Sequence, residues 1–230
     1  NYSTIFNYAM EVSPVDESNL NQSLIIVTPN TIDYGGITEM WEDGSAIAFC
    51  PLSEDTYPYD ARGIIQHEAG GHGFGKLGDE YIYHNGFIEF CCPLDFATLN
   101  YGKSLGWYEN LSLTGKMHEV PWSHLIFDDR YSAVVDIYEG GFKHARGVFR
   151  SEQNSCMNNN ISYYNAISRE AIVKRIMEYA GESYSFEKFV ENDKRDAVNS
   201  LSRSAERPGV TVRGNQYAPR IHKGKPDILK

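Results

Sequence analysis

No apolar run in this chain approaches the roughly 18 residues needed to cross a bilayer, and no signal-type segment opens it. Cationic charge is also short. There are 21 lysines and arginines against 31 aspartates and glutamates, a formal net charge of −10. That balance argues against nucleic acid or an anionic membrane as a partner. Cysteine is scarce too: Cys50, Cys91, Cys92 and Cys156 have a spacing that fits neither a zinc knuckle nor a disulfide-dense scaffold. Adjacent Cys91 and Cys92 read as partly buried free thiols. The chain opens on Asn1 rather than methionine, so a processed or trimmed chain is expected, with a signal and an N-terminal domain missing. No internal repeat is visible.

What is present suffices for one sizeable core, since 41% of the 230 residues are hydrophobic and 13% aromatic. The chemistry is concentrated in one stretch, His67 to Tyr81, which carries two histidines, three carboxylates and five glycines. Imidazole nitrogens with a carboxylate oxygen suit zinc, and a carboxylate beside the first histidine suits a general base. Zinc-peptidase helices place their histidines four residues apart, about 40° from each other on one face. Here His67 and His72 are five apart, and a regular α-helix would set them about 140° apart. If both bind one ion, the backbone between them departs from α-helix. A π-type widening around Ala69 to Gly71 is the favoured solution, because the same chain must still supply Phe74 and Leu77 to the core; Gly70 and Gly71, which lack a Cβ, make it easiest there. The other is a helix that ends at Gly70 with His72 on a turn.

The run Gly71-His72-x-x-Gly75-x-Leu77-x-Asp79-Glu80-Tyr81, after His67-Glu68, resembles the hallmark of the IgA peptidase family of zinc metallopeptidases, which are metzincin-like. Cys156-Met157-Asn158 resembles that clan's methionine turn. The resemblance spans roughly residues 24 to 179 and departs from the pattern by the extra residue between the histidines. It implies an α/β (α+β) fold: a mixed twisted sheet, an active-site helix, and a C-terminal helix after the methionine turn. It also implies one zinc ion held by His67, His72 and Asp79, with Glu80 as the rival third ligand. Glu68 would take a proton from water and return it to the leaving nitrogen. Met157 would form an apolar floor, and Tyr163 or Tyr164 would steady the oxyanion. The substrate would be a protein or glycoprotein, and the chain an exported one. The competing reading is a non-catalytic protein- or glycan-binding module whose metal site the extra residue has degraded.

Along the chain, Tyr2 to Val12 reads as a strand and Leu24 to Thr28 as a buried central strand. By the resemblance, Ile37 to Trp41 is the sheet edge that takes an extended substrate. Ser45 to Cys50 is a further strand, and a helix runs from Asp60 through His67 with Ile64 and Ile65 buried. The stretch from Tyr83 to Phe87 reads as irregular, and Pro93 opens a helix ending near Gly102. Ala133 to Tyr138 alternates as a strand, with Gly147 to Arg150 returning. His144 and Arg146 read as solvated surface, with Arg150 lining the cleft. Ser168 caps a helix that Gly181 stops, and a shorter helix covers Phe186 to Asn192. A catalytic domain over residues 1–200 and an extended tail over 201–230 complete the expectation.

Overall fold

The structure is a computed structural model that describes residues 1–12, 14–194, 215–216 and 218–228. It is an α+β chain with two mixed sheets and several helices, where one sheet was expected. The backbone divides into two compact units, one made of Asn1–Phe74 with the C-terminal strands, the other beginning at Gly75.

The first unit opens with α1 (Tyr2–Val12), a helix where a strand was expected. The apolar residues explain the difference. Tyr2, Ile5 and Phe6 recur at helical rather than alternating intervals, and all three pack into a cluster with Trp41 and Ile47. The sheet then forms from β1 (Leu24–Val27), β2 (Gly35–Trp41) and β3 (Ala46–Phe49). β1 runs parallel to β3, and β3 antiparallel to β2. β1 is therefore not central: it has one partner among the described residues, and Ile26 is exposed.

β2 is not the free edge that was expected. Two C-terminal segments, β8 (Asn215–Gln216) and β9 (Arg220–His222), lie parallel along it, with Glu39 opposite Arg220 and Trp41 opposite His222. The buried Glu39 carboxylate explains why β9 docks there. It accepts from the Tyr2 hydroxyl at 2.8 Å, from His222 Nε2 at 2.7 Å and from Arg220 at 3.3 Å. The His222 ring also stacks on Trp41, with centroids 4.7 Å apart. Of the expected tail, residues 201–214 lie outside the described residues.

The second unit holds β4 (Ile82–Phe87), α3 (Ile88–Cys91), α4 (Pro93–Ser104), β5 (Leu111–Ser112), α5 (Ser123–Ile126), β6 (Tyr138–Gly141) and β7 (Lys143–Arg150). It continues through α6 (Cys156–Asn159), α7 (Ala166–Tyr179) and α8 (Phe186–Asn192). β7 is the hub, pairing in parallel with β4 and antiparallel with β5 and β6. β4 covers the stretch expected to be irregular. Its ladder with β7 carries two register shifts, so no clean alternation was there to be read. Val134 and Val135, expected in an alternating strand, are both buried and lie in a turn, since both amides donate to the Tyr131 carbonyl. The strand begins only at Tyr138. These valines join Trp122, Tyr131, Ile167 and Phe189 in a hydrophobic core of this unit. The cap of α7 is Asn165, whose side chain accepts from the Ser168 amide, rather than Ser168 itself.

Candidate metal centre

Asp60 starts the helix that carries the histidines, its carboxylate accepting from the amides of Arg62 and Gly63. One α-helical turn and a half follows as α2 (Ala61–Ile65), burying Ile64 but leaving Ile65 exposed. From Gln66 to Phe74 the helix is a π-helix, nine residues long. The widening expected around Ala69 to Gly71 is thus present and extends well beyond a single turn. In an i→i+5 ladder, residues five apart share a face as residues four apart do in an α-helix, so the His67–His72 spacing places both rings on one side. Gly73 lets the widened helix lie against β1, because a Cβ there would meet Leu24 Cδ1 at 2.5 Å.

Both histidines are buried, and their Nε2 atoms are 3.1 Å apart with the rings nearly perpendicular at 78°. Two imidazole nitrogens on one tetrahedral zinc, each at 2.0–2.1 Å, are separated by roughly 3.3 Å. The pair therefore fits a shared ion with little adjustment. Glu68 lies between them in sequence and is itself buried. The Thr38 hydroxyl, from β2, is 2.8 Å from Glu68 Oε2 and 3.0 Å from its carbonyl oxygen. Gly36, two residues earlier on the same face of β2, leaves room for that carboxylate. A Cβ there would stand 2.7 Å from Glu68 Cγ and Oε1. Behind this group, burial and then the Glu68 charge push the Cys50 thiol up to about 12, so it stays neutral.

Sequence reasoning missed Thr38 and Gly36. Their signal was present: a glycine and a small hydroxyl residue alternate on a strand otherwise built of larger side chains. That pattern marks a face closely approached by another element.

In the second unit, Asp79 and Glu80 are both fully buried. Their backbones are fixed, with Phe142 N donating to the Asp79 carbonyl at 2.7 Å and Glu80 N to the Met157 carbonyl at 2.8 Å. Both Glu80 oxygens are engaged. Oε1 accepts from Asn110 at 2.8 Å and Asn165 at 2.7 Å, and Oε2 accepts from Ser155. Burial raises the Glu80 carboxyl, against the lowering by these donors and by Arg150. Glu80 thus belongs to a structural network. Met157 is fully buried in α6, a single helical turn closed by Asn160 in the left-handed conformation at φ 59°. The Tyr163 hydroxyl donates to Glu152 Oε2 at 2.6 Å, which occupies it within this unit.

His144 departs most from its expected surface role. It is fully buried on β7, with Nε2 2.9 Å from Asp95 Oδ2 and Nδ1 3.5 Å from Cys91 Sγ. Burial lowers its pKa, against the raising effect of the Asp95 carboxylate. Arg150 is likewise buried, donating to the carbonyls of Glu139 and Gly140. His124 pairs with Glu170 at 2.7 Å.

Against known proteins, no family model and no curated protein matches the chain. No helix among the described residues is long and apolar enough to cross a membrane.

Proposed function

We propose that this chain is a zinc-dependent metallo-endopeptidase acting on protein or glycoprotein substrates outside the cell that makes it. The observation that carries the reading is the 3.1 Å approach of His67 and His72 Nε2 on a π-helix that also bears Glu68. The motif supplies Asp79 as the third donor, and the engagement of both Glu80 oxygens supports Asp79 over Glu80. Zinc, when bound, polarises a carbonyl and acidifies water. Glu68 is the group that accepts the water proton and delivers it to the leaving nitrogen. Thr38 holds that carboxylate in place, and Gly36 gives it space. The binding-module alternative rested on the five-residue histidine spacing. The π-helix supports the enzyme reading, because it reconciles that spacing with a shared ion.

The test is zinc content measured together with cleavage of a denatured protein. The chain should carry about one tightly held zinc at this site and lose it, along with cleavage, in His67→Ala. Full zinc occupancy and cleavage in that variant would overturn the assignment. A second expectation concerns Gly36→Ala. Its new methyl group displaces the Glu68 carboxylate, so kcat should fall on the order of 10²-fold with zinc retained. An unchanged kcat would mean that Glu68 tolerates the shift and is not held where it acts.

A further inference from the structure

Outside the histidine pair, the second unit gathers two thiols and an imidazole. Cys91 Sγ is 3.1 Å from Cys92 Sγ and 3.5 Å from His144 Nδ1, and all three donor atoms lie within 4.8 Å of one another. Consecutive residues on a helix point about 100° apart. Here the helix breaks at Cys92, which has φ −142° and ψ 69° and serves as both the end of α3 and the start of α4. The break turns both sulfurs toward β7. Gly86 on β4 makes the space, since a Cβ there would sit 3.0 Å from Cys91 Sγ.

The imidazole is prepared for the same point. His144 Nε2–H donates to Asp95, whose other oxygen is held by Lys143 Nζ at 3.2 Å. That bond fixes the tautomer and leaves the Nδ1 lone pair facing the thiols. A carboxylate on the far nitrogen of a ligating histidine is the usual outer support of a metal site.

We propose that Cys91, Cys92 and His144 form a second metal site, for a zinc-class cation held by two thiolates and one imidazole. Zinc at 2.3 Å from each sulfur separates them by roughly 3.8 Å, so binding opens the pair by a small side-chain rotation. Three protein donors leave a fourth position, which opens to solvent because Cys91 is exposed. His84, opposite His144 in the β4–β7 ladder with ring centroids 5.3 Å apart, is the candidate to fill it. Each thiol gives up its proton to solvent as the cation binds.

The test is alkylation of the folded, reduced full chain by iodoacetamide, read by peptide mass spectrometry with and without zinc. Cys50 and Cys156 are buried, so Cys91 and Cys92 dominate the reaction. Zinc should slow alkylation of both by at least about tenfold, since the bound sulfurs are no longer available as nucleophiles. The protection should persist in His67→Ala/His72→Ala, which separates this site from the histidine pair. Asp95→Asn should raise the protecting zinc concentration roughly tenfold or more. Equal alkylation rates with and without saturating zinc, protection of one thiol only, or a Cys91–Cys92 disulfide forming equally fast in zinc would each overturn the proposal.

Discussion

Glu68→Gln is expected to lower cleavage of a denatured protein by roughly 10²–10⁴-fold while leaving zinc in place. The substitution keeps the size of the side chain and an oxygen for the Thr38 hydroxyl, which now lies 2.8 Å from Oε2. It removes only the capacity to hold a proton. The two ring nitrogens 3.1 Å apart are untouched, so zinc content measured by mass spectrometry should match wild type. Retained cleavage would sink the general-base role. Loss of zinc together with cleavage would show that Glu68 shapes the site rather than moving a proton. Thr38→Val separates positioning from chemistry. It leaves the carboxylate but frees it to move, so kcat should fall with KM and zinc content unchanged.

The second large effect falls on stability. Glu80→Ala is expected to cost about 3–5 kcal/mol, read as a lower urea midpoint. It strands the donors of Asn110, Asn165 and Ser155 in a fully buried site and leaves the charge of Arg150, itself buried, without its counterpart. Glu80→Gln should cost less, because it keeps an acceptor and the volume. The pH dependence carries a sign. The Glu80 carboxyl is raised in the folded chain, chiefly by burial. Its favourable contribution is therefore full below the unfolded value of about 4.3 and declines as pH rises through the raised folded value. The stability gap between wild type and Glu80→Gln should accordingly narrow as the pH climbs through that interval. An Ala variant with an unchanged midpoint would show that the network does not hold this region together.

The sequence made the candidate metal site more legible than the fold around it. Two histidines five positions apart, with glycines between them, demanded a non-α backbone if one ion was to be shared, and Gln66–Phe74 is a π-helix. Helices with strong local punctuation were also readable, as with Pro93 opening α4 and Phe186 to Asn192 forming α8. What could not be read depended on distant partners. The aromatic and aliphatic residues of α1 suit either helix or strand, and only packing against Trp41 decides between them. β4 needed β7, some 60 residues later, to exist at all. His144 looked like a surface histidine until Asp95 and Cys91 closed round it from other elements. In each case the deciding energy is tertiary, and a local window does not contain it.

The strand that returns at Arg220–His222 has a consequence for how the chain comes to be folded. Glu39 bonds a residue 183 positions away. During synthesis β2 emerges before β9, so its outer hydrogen-bonding row has no β9 partner until His222, 183 positions after Glu39, has been translated. A contact of such sequence separation is slow to form, because loop closure must be paid for before the pairing rewards it. The nascent first unit therefore waits with an unpaired β-edge, the kind of surface that chaperones shield and that seeds aggregation. Removing residues 215–230 from a recombinant version would make that waiting state permanent, so a shortened chain should partition into inclusion bodies far more than the full one.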